Sequence, residues 1–231
     1  EKRQKERGKR MKLLTGGIRD KKAKAYLSER YTLVGVPSLP VADPIKEHID
    51  IGLFVSGSIS VCEPSVYGFY KEFFPSVICA ETRVSEKYPK DVAYNAFSVC
   101  GALVCREEAT DVTLKSLFPK IVSVRQGYAK CSTVVVSENA VITSDRSIFS
   151  ACEKLGADTL FADNDGVLLE GYDTGFLGGA TAVTDEYVLF IGDLSRRKDC
   201  KEICSFIEAH GKKVEYIPDV PLLDCGSPVI I

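Results

Sequence analysis

The chain has 231 residues, 45% of them apolar and 27% charged, a composition that excludes collagen-like, low-complexity and wholly disordered classes. Its 30 Lys and Arg against 32 Asp and Glu give a formal net charge of −2, without the basic excess needed to hold a long nucleic-acid backbone. Nine cysteines, an odd number spread along the chain, do not read as a disulfide framework, and a reducing cytoplasm is the expected location. No run approaches the roughly 18 apolar residues of a membrane span, so neither membrane nor nucleic acid is an expected partner.

Residues 1–10 carry six Lys and Arg against two Glu and read as a solvated tail, with a single domain expected over 11–231. Lys12 to Thr15 reads as a strand, Asp20 to Arg30 as a helix and Thr32 to Val36 as a second strand. From Ile49 onward a four-part pattern recurs. A leading apolar run (Ile49 to Val55, Ala96 to Val99, Ser132 to Val136, Ala180 to Val183) precedes a first strand (Ser58 to Val61, Ala102 to Val104, Ala140 to Thr143, Tyr187 to Ile191). Acidic and hydroxyl residues then open a helix, at Glu63-Pro64-Ser65, Glu107 to Asp111, Ser144-Asp145 and Asp193 to Asp199, where such side chains suit unpaired N–H groups. A closing strand follows at Val77 to Ala80, Ile121 to Val124, Thr159 to Ala162 and Val214 to Ile217.

Each unit is therefore strand, strand, helix, strand. The N-terminal copy lacks its leading strand, and Ser227 to Ile231 is a strand without a unit, so the two chain ends complete a fifth copy. Five such units closing tail to head predict an α/β propeller of ββαβ modules, because closure removes exposed sheet edges. The alternative is a three-layer α/β sandwich.

Of the two histidines, His210 stands before Gly211 at a helix end and reads as a structural C-terminal residue. His48 lies in Glu47-His-Ile-Asp50, just before an apolar run, where alternation puts His48 and Asp50 on one side and the carboxylate can orient the imidazole. Cys131 lies where the loop Gln126-Gly-Tyr-Ala-Lys130 runs into the apolar Ser132 to Val136, with a lysine beside it. A cationic neighbour favours the thiolate that nucleophilic attack requires. Cys62, Cys79, Cys100, Cys105 and Cys152 read as small core residues. Cys200 and Cys204, at helical i, i+4 spacing, make only half of a metal site, and no metal or cofactor is expected.

A five-unit ring with His-x-Asp at one strand entrance and Cys at another resembles the pentein superfamily of guanidine-modifying enzymes, which includes arginine deiminase, dimethylarginine dimethylaminohydrolase and the amidinotransferases. The order His48, Cys131, Gly178-Gly179 corresponds to a circular permutation of the usual pentein order. The segments Gln126 to Ser132, Asp91 to Asn95, Gly175 to Ala180 and Asp224 to Ser227 are also similar to an uncharacterised bacterial domain family. The pentein resemblance implies a cysteine-dependent hydrolase with Cys131 as nucleophile, His48 as general acid/base and Asp50 behind it. It also implies a small-molecule substrate met by Gly178 and Gly179, with Asn95, Lys130 and Asp145 as further binding candidates. Ala180 stands where the family carries a carboxylate, which keeps open a non-catalytic small-molecule-binding module on the same fold.

Overall fold

A computed structural model describes residues 10–231; the basic run of residues 1–10, apart from Arg10, lies outside them. The chain forms β1 (Lys12–Thr15), α1 (Lys21–Arg30), β2 (Thr32–Gly35), the helical turn α2 (Ile49–Gly52), β3 (Leu53–Ser56), β4 (Ile59–Cys62), α3 (Tyr67–Tyr70) and β5 (Ile78–Cys79). Next come β6 (Phe97–Val99), β7 (Ala102–Cys105), α4 (Val112–Ser116), β8 (Ile121–Ser123), β9 (Thr133–Ser137), β10 (Ala140–Thr143), α5 (Arg146–Leu155) and β11 (Asp158–Phe161). The last third holds β12 (Val167–Leu168), β13 (Thr181–Val183), β14 (Tyr187–Phe190), α6 (Cys200–Ala209), β15 (Lys213–Tyr216), β16 (Leu222–Leu223) and β17 (Val229–Ile230).

The fold is mixed α/β and built from small sheets. Five of them share one pattern: a central strand pairs antiparallel with a leading strand and parallel with a closing strand across a helical connection. These sheets are β17-β1-β2, β3-β4-β5, β6-β7-β8, β9-β10-β11 and β13-β14-β15. In the first, the leading strand is the C-terminal β17, so both chain ends share a sheet, with Leu13 opposite Ile230. Central strands β7, β10 and β14 are buried at every position, which is why they read as unbroken apolar runs rather than alternating ones.

The leading strands lie beside one another in chain order, β3 against β6, β6 against β9, β9 against β13 and β13 against β17. The chain before β17 returns to the start of β3, where Asp50 N–H donates to the Gly226 carbonyl at 3.2 Å. A sixth, two-stranded sheet, β12 with β16, has no counterpart in the repeat pattern and went unread in the sequence because each strand is only two residues long. Helix lengths also differ from expectation: α3 and α4 are one-turn pieces, while α1, α5 and α6 have ten residues each. Cys79 and Cys100 are exposed rather than core, because β5 is an outer strand and Cys100 sits in a turn at φ 50°. All nine cysteines are free thiols. Among the described residues, no helix is long and apolar enough to cross a membrane.

Acidic caps start the helices, as the opening residues imply. Asp111 shows how much one cap can hold: Oδ1 accepts the Thr113 and Leu114 N–H groups at 2.8 and 3.2 Å, starting α4. Its Oδ2 accepts Thr82 and Glu81 N–H at 2.8 and 3.2 Å, tying the chain beyond β5 to the next unit. Burial alone pushes the Asp111 carboxyl up, but these donors outweigh it and the net shift is downward. A depressed folded pKa gives stability that is present above the unfolded carboxylate value and lost as pH falls through the folded one. Asp111→Asn, which removes the charge and one of the two acceptor oxygens, is therefore expected to lower stability by about 1–2 kcal/mol at neutral pH. Thermal melts of wild type and variant should converge as pH falls below roughly 4; a gap that stays constant with pH would assign the loss to shape rather than charge.

Candidate functional site

Each leading strand is entered through a residue of one buried, hydrogen-bonded cluster. Asp50 precedes β3, Asn95 precedes β6, Cys131 precedes β9, Gly178 and Gly179 precede β13, and Ser227 precedes β17, each two or three residues ahead of its strand. Main-chain and side-chain bonds link them. Asn95 Oδ1 accepts the N–H groups of Lys130 and Cys131 at 2.8 and 3.2 Å, and its amide donates to Cys131 Sγ at 3.3 Å. Gly179 N–H donates to the Cys131 carbonyl at 2.8 Å, and Ser227 N–H donates to the Gly179 carbonyl at 3.0 Å. Ser227 Oγ–H and Cys131 Sγ–H both donate to Asp50 Oδ2, at 2.7 and 2.8 Å.

His48 is also buried here, but its relation to Asp50 differs from the strand-alternation reading. Residues 49–52 form the helical turn α2, and the strand starts only at Leu53, so the period of two does not apply at His48 and Asp50. Asp50 instead meets Cys131 and Ser227, and the carboxylate 3.8 Å from His48 Nδ1 is Asp224. That distance is too long for a hydrogen bond. His48 Nδ1 and Asp50 Oδ1 are buried without hydrogen-bond partners. Asp224 is held by Phe176 N–H on Oδ2 at 2.8 Å and Gly226 N–H on Oδ1 at 3.1 Å. One donor atom each from His48, Cys131 and Asp224 lies within 4.8 Å of the others.

Asp224 and Ser227 are the functional candidates the sequence reading passed over, although both lie in the Asp224-Cys-Gly-Ser227 segment it noted. Asp224, on the chain before β17, packs its carboxylate against Gly175 and Gly179, ahead of β13. A Cβ on Gly179 would stand 2.0 Å from Asp224 Oδ1, so glycine there is what admits the carboxylate. Asp145 stays outside the cluster. Its Oδ1 accepts Ser147 and Ile148 N–H at 2.8 and 3.0 Å as the cap of α5, a local role that fully accounts for it. His210 closes α6, with Nδ1 2.8 Å from the Phe206 carbonyl and Nε2 3.2 Å from Asp158.

Burial dominates the electrostatics. It raises the Cys131 thiol well above its ordinary value, with the negative charges of Asp50 and Asp224 adding to the rise. Asp50 is also raised by burial, and Asp224 is pushed up to about 6 for the same reason. His48 and Lys130 are both lowered by burial, against the pull of neighbouring acids. Burial thus favours the neutral forms of both the thiol and the imidazole. Lys130 Nζ reaches only the Thr133 carbonyl, at 3.5 Å. A cleft of about 400 Å³, flanked by Arg19, Glu47, Leu168, Glu170 and Tyr172, leads from the surface to His48 and Asp224. Cys131 lies beyond its lining and is 2% exposed.

The fold is shared with solved guanidine-modifying enzymes of the pentein superfamily. A dimethylarginine dimethylaminohydrolase adduct with S-methyl-L-thiocitrulline superimposes with a TM-score of 0.57 at 10% identity, covering 96% of this chain and 100% of that one. The Pseudomonas aeruginosa dimethylarginine dimethylaminohydrolase, a mutant complexed with citrulline, gives 0.55 at 10% identity over 90% of this chain and 92% of that one. The C. jejuni agmatine deiminase with substrate bound gives 0.53 at 9% identity, over 90% and 77%. No functionally curated protein matches by sequence. Residues 17–229 match the family of unknown function DUF6873, and the chain belongs to that family.

Because the two acids help to hold the thiol protonated, removing one has a signed consequence. Asp50→Asn is expected to lower the Cys131 pKa and speed its alkylation by iodoacetamide several-fold at pH 8, with the rise of the pH–rate profile moved to lower pH. Peptide-resolved mass spectrometry separates Cys131 from the other thiols, and an unshifted profile would refute the electrostatic account.

Proposed function

We propose that this chain is a cysteine-dependent hydrolase acting on the C–N bond of a small cationic amidine- or guanidine-type substrate. The observation that carries the reading is the meeting of a thiol, an imidazole and two carboxylates in one buried pocket on this fold. Asp50 and Asp224 are suited to receive the N–H groups of a planar cation beside Cys131. The cation's charge would offset the two acids that hold the thiol protonated, so the nucleophile forms when substrate is present. The thiol proton passes to His48, and the thiolate bonds to the central carbon. His48 then returns the proton to the departing nitrogen as the C–N bond breaks. Water next loses a proton to His48 and attacks the same carbon; the C–S bond breaks, and His48 reprotonates the thiolate. Asn95 and the Gly178-Gly179 backbone position Cys131, and Lys130 contributes positive charge beside the thiol.

The same reading takes the five ββαβ units as a closed propeller, permuted relative to the guanidine-modifying enzymes. Support comes from the chain-order contacts of the leading strands and the site residue ahead of each one. It also takes residues 11–231 as one domain and the protein as cytoplasmic, which suits nine unpaired thiols. A binding module is the second reading, favoured by one observation: Cys131 is almost wholly buried and outside the cleft lining.

Amine or ammonia release from a panel of guanidines and amidines tests the proposal. Cys131→Ala should abolish turnover, and His48→Ala should lower kcat by about 10²–10⁴-fold. Cationic haloacetamidine should label Cys131 faster than neutral iodoacetamide does, with Asp224→Asn erasing the preference. A panel member that raises the melting temperature without turnover, together with equal labelling by the two reagents, would replace the hydrolase with the binding module.

A further inference from the structure

Cys200 and Cys204, the thiol pair that sequence spacing singles out, take no part in the buried cluster at the strand entrances. They stand at the start of α6, whose inner face buries Ile203 and Ile207. Four residues apart, they fall on one side of the helix, and their Sγ atoms lie 3.9 Å from each other. Both are half-buried, packed on the flank of the core that holds Ile203, Ile207 and Leu194, with the rest of each side chain open to solvent. Among the described residues, each thiol has only the other as a hydrogen-bond partner.

Two thiols in contact can be oxidised to a disulfide or can share one bound atom, and the geometry separates the two. A disulfide brings its Cβ atoms to about 3.5–4.5 Å, whereas Cβ atoms at i, i+4 in a helix stand about 5–6 Å apart. Oxidation would therefore break the first turn of α6. A chelated ion asks for no such movement: with bonds of roughly 2.3 Å, sulfurs 3.9 Å apart subtend about 116° at the ion.

We propose that Cys200 and Cys204 form a two-thiolate site for a soft monovalent cation, copper(I) fitting best. The donor count selects the ion. Structural zinc takes four protein donors, and among the described residues no further His, Cys, Asp or Glu joins this pair to make even a group of three. Magnesium and calcium take oxygen. Thiolates select soft ions, and copper(I) is stable with only two or three of them. The surroundings also suit the charge, since one monovalent ion on two thiolates leaves a net negative charge at the positive end of a ten-residue helix. Asp199 does not cap that end. Arg197 holds its carboxylate instead, with Nε and Nη2 donating at 2.8 and 2.6 Å. Lys198 and Lys201 flank Cys200 in sequence.

Binding is an exchange of protons for the ion: two Cu–S bonds form, two S–H bonds break, and both protons leave to buffer. No electron is transferred. Burial, with the neighbouring Cys200 adding to it, pushes the Cys204 thiol up to about 11, so at neutral pH the ion has to displace a proton there. While both thiols are protonated, apparent affinity rises about 100-fold per pH unit, the signature of two protons released per ion.

The test uses the full chain without oxygen, with copper(I) kept reduced by ascorbate and Zn²⁺ as the comparison probe. No substrate enters it, so its outcome is independent of whether amidines are turned over. One equivalent of copper(I) should slow N-ethylmaleimide labelling of both Cys200 and Cys204 at least tenfold, read by peptide mass spectrometry that separates them from the other thiols. Zn²⁺ at the same concentration should leave both rates unchanged. Cys204→Ser should remove the protection of Cys200 and weaken copper(I) binding at least 100-fold in competition with a chromophoric copper(I) chelator. Unprotected Cys200 and Cys204 in the native chain would overturn the proposal, as would equal protection by Zn²⁺ or protection of Cys200 that survives Cys204→Ser. The first two readings need no substitution, so the proposal stays falsifiable where the variant does not fold.

Discussion

The site depends on the hydrogen bonding of one buried carboxylate. Asp50 is 2% exposed, and its Oδ2 takes both the Cys131 thiol and the Ser227 hydroxyl. A carboxylate removed from water must be satisfied by donors or protonated. Here the donors come from segments 81 and 177 residues away, so satisfying Asp50 draws the start of β3, the start of β9 and the C-terminal segment together. The bonds from Asn95 to Cys131, from Gly179 to Cys131 and from Ser227 to Gly179 extend the same linkage through the remaining leading strands.

That linkage explains why short sheets suffice. No sheet of the five repeated ones has more than three strands, the smallest size that is stable and then only with a packed apolar face. The central strands bury both faces between helices and neighbouring sheets, while the leading strands meet one another at their polar entrances. Apolar packing therefore sits along the strands, and polar chemistry is confined to the ends where they converge.

The same confinement sets the electrostatic character of the pocket. Burial works against every charge in it, raising Cys131, Asp50 and Asp224 and lowering His48 and Lys130. Left alone, the pocket disfavours the Cys131 thiolate. A bound cation would change that balance by pairing the two carboxylates that add to the rise. The amidinium of the proposed substrate would bring that positive charge to Asp50 and Asp224.

The sequence alone determined the repeat, because hydrophobic periodicity and acidic helix caps such as Asp111 and Asp145 act locally and leave local signatures. It also singled out Cys131 and His48, a cysteine entering an apolar run and one of only two histidines. It expected strand alternation at His48 and Asp50, whereas residues 49–52 turn as a helix and Asp50 N–H donates to the distant Gly226 carbonyl. It gave Asp145 a site role that capping accounts for, and it passed over Asp224 and the β12-β16 pair. Only the tertiary structure decided those points, because Asp224 reaches His48 and Cys131 from distant parts of the chain and leaves no spacing to read. Its place is fixed by the space that glycine at 179 leaves beside it.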